Sequence, residues 1–569
     1  MKPSKAPGLD GITAGMLRKA WPLIKDTTTQ LMNKCLENAK FPDCWKVSRL
    51  VIIPKSGKKD KSNPKSYRPI SLLPTMSKAL ERLIITRLES ETSLNEIGNQ
   101  HGFVAGRSTI TAMKSLYNWT DGSKCRHVFG VFLDITGAFD NVKWSPILER
   151  LHEIGASVRS INMINCYLNN RHAELKIENE VRTRQLTRGC PQGSQLGPTL
   201  WKVAMSDIRT PPDQQIQHVV AYADDIAILT GADRPETAFK RMTEYLDEMR
   251  TWAEKYSLEF SETKTQLMSV KGGLKPSYSI TFGTNNEATV IEPTSKVKYL
   301  GVILDPRQSY ADHILELVGK SKDLYKRLRG MSSANWGMSR RTARIIYEGV
   351  FLPRITYAAE IWWEGVKLEK CKKKLGSMQR DPLLAITSAY KTASTNCLTA
   401  VAGELPLDLK IIEYAFKRQA KLGAITLEAL KIKQTELLAE WQRRYETTDK
   451  GEWTKRMIPS VIERYYLPME MDHYTSQILT GHGDFRGKLF SFKLVDSPTC
   501  ECALGGSETV AHVLLRCRRT EEQREELKEA LRREEQAWPP EDGVFLRSKG
   551  LYEALRKFAR DSLRNRTDR

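Results

Sequence analysis

The stretch HVVAYADDIAIL, residues 218–229, places two carboxylates between two apolar runs. Runs of this length and composition predict a hairpin of two buried strands whose turn holds Asp224 and Asp225. Adjacent aspartates are common in turns, so the pair alone does not indicate a function. An unpaired charge between two core strands, however, costs several kcal/mol. We therefore expect positive charge beside this pair.

A third carboxylate, Asp134, ends the similarly apolar stretch VFGVFLD, residues 128–134. Three aspartates at the ends of neighbouring strands would supply the oxygen ligands that Mg²⁺ prefers. Two such ions about 3.5–4 Å apart can activate an attacking hydroxyl group and stabilise the leaving oxygen in phosphoryl transfer. In a basic chain, the three residues predict polymerase or nuclease chemistry.

The composition favours a nucleic-acid partner. The chain of 569 residues has 89 Lys plus Arg against 68 Asp plus Glu, a formal net charge of +21. A folded chain this basic usually binds a polyanion. An anionic membrane is the alternative, but no stretch approaches the roughly 20 apolar residues of a membrane span. The start MKPSKAPGLDG also lacks the apolar core of a signal peptide. We expect an intracellular protein of about three or four domains.

Hydrophobic periodicity predicts an α+β part up to Asp305 and a mainly helical part after it. In the first part we expect helices near 16–32, 77–90, 145–155 and 235–256, strands over 127–135, 265–270 and 297–304, and a polar hairpin over 173–187. A basic loop follows a strand that ends near Lys55. In the second part we expect long amphipathic helices, such as 311–331 and 340–363, and a solvated helix within 518–536.

Eight short motifs then identify a family. VFLDITGAFDNV, RGCPQGSQLGPTLW, YADD, LEFSETKTQLM and KYLGVILD occur in the order and spacing of the reverse transcriptase motifs lettered A to E. APGLDGI, YRPISLL and QHGFVAGRSTITA resemble their upstream companions. The resemblance covers roughly residues 2–305, and the upstream companions resemble the non-LTR retrotransposon branch. The segment AGELPLDLKIIEYAFKRQAKLG and a late Cys/His cluster resemble the insect elements that insert into ribosomal RNA genes.

This resemblance implies a right-hand polymerase of α+β class. We expect fingers over 1–123, a palm over 124–305, a helical thumb over 306–448 and a C-terminal nucleic-acid-binding region over 449–569. The implied reaction adds deoxynucleoside triphosphates to a DNA primer on an RNA template, with two Mg²⁺ ions that Mn²⁺ could replace. In such elements the primer is a nicked chromosomal strand, which implies action in the nucleus. The chain is expected to be a fragment of a longer polyprotein, without its own nuclease domain.

The resemblance also implies roles for single residues. Asp134 and Asp224 would bind both metal ions, with Asp225 as the third acidic member and the backbone carbonyl of Ile135 completing one shell. Lys264 would protonate the departing pyrophosphate as a general acid. The remaining residues would contact the nucleotide, primer or template: Lys55 and Arg68 at the triphosphate, Phe139 under the sugar, Gln192 and Gly193 in a tight loop, and Tyr222 under the primer terminus.

Each of these assignments has a simpler alternative. Phe139 could be a core residue, Lys264 a solvated loop lysine, the Gln192–Gly193 loop a structural turn, and the basic loop after Lys55 a surface hairpin. For the whole chain, the alternatives are a non-catalytic RNA-binding protein that keeps the fold and a nuclease that uses the same metals. A decayed polymerase is expected to lose its acidic ligands first, and all three are present here.

The late cluster reads Cys500, one residue, Cys502, nine residues, His512, four residues, Cys517. Four such ligands can close a tetrahedral Zn²⁺ site. The first spacing departs from the commoner Cys-x₂-Cys, but two glycines between the halves allow a turn. The alternative is a set of buried cysteines beside an exposed histidine. We predict a zinc site that organises a small nucleic-acid-binding module.

Overall fold

The computed structural model divides the chain into two compact units, 1–307 and 308–569. It describes residues 3, 5–55, 60–94, 98–273, 278–282, 289–329, 339–467 and 469–564. Of the predicted basic loop after Lys55, residues 56–59 lie outside the described residues, and residues 60–66 are described, with a 3-10 turn over Pro64–Ser66. The four expected regions are a finer division than these two units and stay a prediction.

A central sheet of four antiparallel strands forms the middle of the N-terminal unit, in the order β6-β7-β3-β8. Its strands are β3 (His127–Asp134), β6 (Gln217–Tyr222), β7 (Asp225–Ala232) and β8 (Gln266–Lys271). The two middle strands, β3 and β7, are buried along almost their whole length. Apolar residues therefore occupy consecutive positions in these strands instead of alternating ones.

A second sheet has the strand order β2-β1-β4-β5. Its strands are β1 (Val47–Pro54), β2 (Tyr67–Leu72), β4 (Arg171–Ile177) and β5 (Glu180–Leu186). The β1–β4 pair is parallel and the others are antiparallel. Along the edge strand β5, every residue from Glu180 to Gln185 is exposed.

Two small hairpins complete the strands: β9 (Ile280–Phe282) with β10 (Thr289–Ile291), and β11 (Val297–Tyr299) with β12 (Val302–Leu304). The prediction of one strand over 297–304 was wrong. Leu300 and Gly301 have φ of 46° and 85°, so the chain reverses there. Apolar residues flank this turn on both sides, which is why the sequence resembles a continuous strand.

The described residues of the N-terminal unit form eight α-helices beside the two sheets. They are α1 (Ala14–Glu37), α2 (Thr75–Glu91), α3 (Thr109–Gly122), α4 (Ala138–Asn141), α5 (Trp144–Glu153), α6 (Val158–Leu168), α7 (Gly197–Ser206) and α8 (Pro235–Lys255). Helix α8 packs against β3 and β7 of the central sheet. One core joins them, with Leu80 of α2, Phe129 of β3, Trp201 of α7 and Leu246 of α8 among its members. The predicted α+β class is confirmed.

Apart from one isolated β-bridge, the regular secondary structure among the described residues of the C-terminal unit is helical. Its helices are α9 (Ala311–Arg329), α10 (Arg340–Ile346), α11 (Leu352–Ile355), α12 (Ala359–Trp362), α13 (Glu369–Thr387), α14 (Thr395–Ala402), α15 (Leu407–Lys421), α16 (Leu427–Thr447), α17 (Glu452–Met457), α18 (Val461–Tyr466), α19 (His473–Thr480), α20 (Arg486–Ser491), α21 (Val510–Leu515), α22 (Glu521–Arg533) and α23 (Lys549–Leu563). Among the helices described, none combines the length and apolar composition of a membrane span.

The long helix expected over 340–363 is broken into pieces. After α10 the chain makes a π-helical turn, Tyr347–Phe351, before α11. Ala358, with φ of 53°, then ends the helical path before α12. Pro353 has no backbone N–H to donate to the preceding turn, so regular α-helical bonding cannot continue through it. The hydrophobic periodicity persists across these breaks and therefore does not reveal them.

Candidate active site

The two carboxylates of residues 224 and 225 lie at the tip of the β6–β7 hairpin, as predicted. Strand β6 ends at Tyr222 and β7 begins at Asp225, which pairs in register with Tyr222 on one side and with Asp134 of β3 on the other. Between the strands, Ala223 has φ of 56° and turns the chain. Three carboxylates therefore meet at one end of the central sheet because three strand ends meet there.

These carboxylates repel one another in a partly buried position. Burial, and then the charge of Asp134, raise the pKa of Asp224. Burial, followed by repulsion from Asp224 and Asp134, raises the pKa of Asp225 to about 6. The expected positive charge is present: Lys264 Nζ lies 2.8 Å from Asp134 Oδ1. Arg68 is close enough to lower the pKa of Asp224.

The donor set fits a divalent cation. Hard carboxylate oxygens with uncompensated negative charge are what Mg²⁺ and Mn²⁺ prefer. Lys264 contacts the cluster at Asp134 and partly offsets the repulsion. Asp134, Asp224 and Asp225 could thus hold cations at the end of the sheet.

The Ile135 carbonyl faces the same region. An isolated antiparallel bridge joins Ile135 to Phe260. Its hydrogen bonds run from the Ser261 N–H to the Asp134 carbonyl, 2.7 Å, and from the Thr136 N–H to the Glu259 carbonyl, 2.8 Å. Backbone carbonyls alternate in direction along a strand. The Ile135 carbonyl therefore points away from Phe260, toward the side of β3 that faces β7.

A cavity of about 190 Å³ lies beside Phe139, lined on its other sides by the second sheet and the 188–192 loop. The half-buried ring of Phe139 stacks on Trp201, with centroids 5.3 Å apart, and meets Phe103 edge-on at 5.8 Å. Two aromatic neighbours fix the ring's position. Phe139 therefore contributes to the core and also lines the cavity, so the core alternative is part of its role.

The loop with Gln192 and Gly193 follows β5 and contacts both β2 and α4. Gln192 Nε2 donates to Asp140 Oδ1 at 2.8 Å, and its carbonyl accepts from the Ser71 N–H at 2.7 Å. Gly193 has φ of 126°, and a Cβ there would lie 2.4 Å from the Ser71 carbonyl oxygen. Only glycine fits this approach. The loop thus places a close-packed backbone at the cavity wall, and its contact with a nucleotide or template stays a prediction.

The structure brings some of the other predicted residues together and not others. Tyr222 adjoins the carboxylates through its register with Asp225. Lys55 is exposed just beyond β1, and its Nζ donates to the Lys65 carbonyl at 3.1 Å. Among the described residues Lys55 makes no ion pair with the acidic cluster. Arg68, by contrast, is within electrostatic reach of Asp224.

The predicted Cys/His ligands converge in the C-terminal unit. The ligand atoms of Cys500, Cys502, His512 and Cys517 all lie within 4.8 Å of one another. Cys500 Sγ is 3.7 Å from Cys517 Sγ, and Cys502 Sγ is 3.4 Å from His512 Nε2. Burial raises the pKa of the Cys500 thiol to about 12. Burial also opposes ionisation of Cys502, but hydrogen bonds from the Leu504 N–H, Cys500 and His512 outweigh it and lower that pKa to about 6.

Comparison with known proteins assigns the N-terminal unit. Residues 53–304 match the family model for reverse transcriptase (RNA-dependent DNA polymerase). The chain carries a reverse transcriptase domain. The second sheet from near the end of β1, the central sheet and the last small hairpin all fall within it.

Relatives with named functions resemble more of the chain than the reverse transcriptase domain. The chain is 30% identical over 534 residues to the retrovirus-related Pol polyprotein from type-1 retrotransposable element R1 of Bradysia coprophila, over 91% of this chain and 53% of that protein. It is 27% identical over 401 residues to the RNA-directed DNA polymerase from mobile element jockey of Drosophila melanogaster, over 68% of this chain and 42% of that protein. The chain spans about half the length of the curated relatives it matches. The resemblance to non-LTR elements of insects is confirmed.

Among solved structures, apo telomerase from Candida tropicalis is similar, with a TM-score of 0.34 and 10% sequence identity over 74% of each chain.

Gln100, whose role was not predicted from the sequence, holds the turn that carries the aspartates of the reverse transcriptase domain. Gln100 Oε1 accepts from the Ala223 N–H at 3.1 Å, and its Nε2 donates to the Ala223 carbonyl at 3.3 Å. Trp201 Nε1 donates to the same carbonyl at 3.0 Å. A Cβ on Gly102 would lie 2.3 Å from the Ala223 nitrogen. The motif that contains Gln100 was noted, but nothing in the sequence showed what its amide would contact.

A second residue missed in the reverse transcriptase domain is Glu81, which is completely buried in α2. It accepts hydrogen bonds from Ser194 Oγ at 2.8 Å, from the Gln195 N–H at 2.6 Å and from the Leu196 N–H at 3.1 Å. A carboxylate at a helix N-terminus satisfies N–H groups that have no helical partner. Glu81 thus fixes the start of α7 behind Gly193. An acidic residue on the apolar face of α2 was the signal that could have revealed it.

Proposed function

We propose that this chain is the RNA-directed DNA polymerase part of a non-LTR retrotransposon polyprotein, extending a DNA primer on an RNA template. The observation that carries the proposal is the register of Asp134 with Asp225 beside Asp224, within the reverse transcriptase domain. Nuclease chemistry could use similar carboxylates, but it would not need the cavity under Phe139 or the glycine loop beside it.

Two Mg²⁺ ions, or Mn²⁺ in their place, would be held by Asp134, Asp224, Asp225 and the Ile135 carbonyl. When bound, they would lower the pKa of the primer hydroxyl and stabilise the pyrophosphate oxygens. The three carboxylates make this end of the sheet strongly negative, and partial burial keeps water from screening that charge. The protein supplies ligands in fixed positions because Asp134 and Asp225 lie at strand ends and Asp224 lies in the short turn between two strands.

The surrounding residues position the nucleotide and primer. Phe139 would lie under the sugar and exclude a 2′-hydroxyl, while the Gln192–Gly193 backbone would contact the base pair. Lys55 and Arg68 would bind the triphosphate, and Arg forms bidentate hydrogen bonds with phosphate oxygens. Tyr222 would support the primer end. Lys264 would hold the proton at Nζ that the departing pyrophosphate takes up.

The C-terminal unit would bind Zn²⁺ through Cys500, Cys502, His512 and Cys517. Three thiols and an imidazole within one small loop region fit tetrahedral zinc. The positive φ of Gly505 and Gly506, 61° and 84°, makes the turn between the two ligand pairs. With a nicked chromosomal strand as primer, the reaction would occur in the nucleus.

Primer extension tests the proposal directly. We expect the chain to extend a DNA primer on an RNA template when Mg²⁺ and deoxynucleoside triphosphates are present. Asp224→Asn removes a charged ligand and should lower the extension rate at least about 100-fold, or about 2.7 kcal/mol in the barrier. Asp121→Asn, an exposed aspartate of the same unit, is the matched control and should extend normally.

Equal extension by the Asp224→Asn variant and the unchanged chain would contradict the catalytic assignment. Cleavage of the template without primer extension would instead support a nuclease. Failure of the unchanged chain to extend any primer would favour a non-catalytic RNA-binding protein.

A further inference from the structure

A cavity of about 770 Å³ lies in the C-terminal unit, away from the Cys/His cluster ligands. Its walls come from α10, α18, the segment that follows α18, the end of α14 and one side chain of α23. Guanidinium groups dominate its lining. They belong to Arg340, Arg341, Arg344, Arg464 and Arg556.

The most buried of these groups is Arg464, which is only 3% exposed. Its Nη1 and Nη2 donate to the carbonyls of Leu467 and Val401, at 2.6 and 2.7 Å. Its Nε is buried and has no acceptor among the described residues. Burial lowers its pKa to about 10. The two neutral carbonyls accept hydrogen bonds from the Arg464 guanidinium group but do not neutralise its charge. Arg464 therefore contributes a buried positive charge to the cavity wall.

Two further arginines have no ion pair with any described residue. Arg340 is half-buried, and its Nε donates to Ser388 Oγ at 2.8 Å. Arg341 is exposed at the mouth of the cavity. The other two are compensated: Arg344 contacts Glu404 at 2.8 Å and Arg556 contacts Asp472 at 2.9 Å.

Burial lowers the pKa of Arg340; the charge of Asp472 opposes this effect and the charge of Arg556 adds to it. Glu470, which also lines the cavity, lies 3.6 Å from Arg556. The guanidinium groups without an ion pair to any described residue are therefore those of Arg340, Arg341 and Arg464, and an anion in the cavity would take up their unused donors.

An aromatic surface adjoins these charges. Tyr466 is 69% exposed, a high value for so large an apolar ring. Tyr465 meets it edge-on at 5.2 Å and is itself anchored, because its hydroxyl donates to Glu413 Oε1 at 3.0 Å. Exposed aromatic rings beside cationic side chains are the combination that single-stranded nucleic acids bind, by base stacking and phosphate contact.

We propose that this cavity binds a phosphate and the adjoining unstacked base of a single-stranded nucleic acid. The volume suits a ligand the size of one or two nucleotides. A duplex does not fit, because its bases are stacked inside and its outer surface is convex. The inference deepens the proposed function and rests on it, since a polymerase that copies RNA must handle single strands outside its catalytic site.

The test uses the full chain carrying Asp224→Asn, with no nucleotides present, so that binding is measured apart from synthesis. A 4-thiouridine RNA and a 4-thiothymidine DNA of matching sequence are cross-linked by ultraviolet light, and the attached peptides are mapped. We expect cross-links within residues 464–467 or 469–471. Stronger cross-linking of the RNA would assign a template segment, and stronger cross-linking of the DNA would assign a primer or displaced strand.

Fluorescence anisotropy then measures the contribution of single side chains. Tyr466→Ala should weaken binding of the preferred strand at least about 5-fold, since it removes a stacking surface. Arg341→Gln should weaken it several-fold and reduce the salt dependence, with the slope of log K against log salt falling by about 0.7. Both side chains are exposed, so the fold should persist. Arg533→Gln is the matched control, because Arg533 is exposed on α22 and does not line the cavity.

Unchanged affinity in both variants, with no cross-link in the cavity segment, would overturn the inference even if primer extension succeeds. Cross-links that persist when primer extension by the chain without Asp224→Asn fails would uphold the cavity and remove only the polymerase proposal. A poly-glutamate peptide that displaces the strand and binds more tightly than it would overturn the inference in favour of an acidic protein partner.

Discussion

The three carboxylates of the candidate active site differ in environment although they lie together. Asp134 directly contacts Lys264, whereas burial and the charges of Asp224 and Asp134 raise the pKa of Asp225 to about 6. Asp224 lies in the turn itself, where Arg68 acts on it from a distance. One side chain of the set is thus already compensated, and the charge that remains available to cations belongs mainly to the hairpin tip.

Phe139 offers the sharpest test at this scale. Phe139→Val should open the space under the sugar and let ribonucleotides in, because the smaller side chain no longer contacts a 2′-hydroxyl. We expect the preference for deoxynucleotides, measured as the ratio of kcat/KM values, to fall by as much as about 100-fold. Phe139→Tyr keeps the ring and should keep the preference. An unchanged ratio in the valine variant would show that Phe139 serves the core alone.

The sequence was sufficient for residues whose role follows from their immediate neighbours. Asp224 and Asp225 could be singled out because apolar runs flank them on both sides. The spacing of the ligands from Cys500 to Cys517 likewise indicated a metal site. Gln100 and Glu81 could not be found in this way. Their partners lie 123 and 113 residues along the chain, and most of those partners are backbone groups that no sequence pattern marks.

Among the elements, the β6–β7 hairpin is supported by two segments that are distant in sequence. The segment before α3 runs beside β6, with backbone hydrogen bonds from the His101 N–H to the Ala221 carbonyl and from the Ala221 N–H to the Asn99 carbonyl. Helix α7 adds the Trp201 contact. The hairpin tip is therefore held from both sides. The local apolar pattern predicted the hairpin itself. It did not predict the breaks at Leu300 and after Ile346, because apolar residues continue across both breaks.

Gln100→Met tests whether this support matters for activity. The variant keeps the volume but leaves the Ala223 N–H without its side-chain acceptor, which should cost about 1–3 kcal/mol of unfolding free energy. Because the turn carries Asp224, we expect kcat for primer extension to fall more than KM changes. Urea unfolding and steady-state kinetics measure the two effects.

Gln215→Met, an exposed glutamine of the same unit, is the control and should change neither quantity. If Gln100→Met loses stability but keeps a normal kcat, Gln100 has a structural role only. Partial recovery of kcat in Gln100→Glu, which retains an acceptor for the Ala223 N–H, would support the positioning role.

At the scale of the whole molecule, the two units carry different chemistry. The N-terminal unit holds the carboxylates, and the C-terminal unit holds the thiol cluster and the arginine-lined cavity. The basic excess of +21 is distributed over a chain in which both units are proposed to contact nucleic acid. Salt should therefore weaken binding steeply, since each phosphate contact releases counterions.

Zinc content tests the cluster independently of catalysis. We expect about one Zn²⁺ per chain by elemental analysis, and Cys500→Ser should remove it because three ligands bind far more weakly than four. Cys371→Ser is the matched control, since Cys371 is also buried in the C-terminal unit but lies outside the cluster. Equal zinc in both variants would exclude Cys500 as a ligand.

The edge strand β5 has a consequence for how copies of the protein meet. A strand with one unpaired side offers its backbone to any other strand, and long exposed edges of this kind promote self-association. Here the exposed residues Glu180, Arg182 and Arg184 place charges along that edge. These charged side chains oppose the pairing of β5 with a strand of another molecule. Replacing Arg182 and Arg184 with apolar residues should therefore promote self-association through this edge.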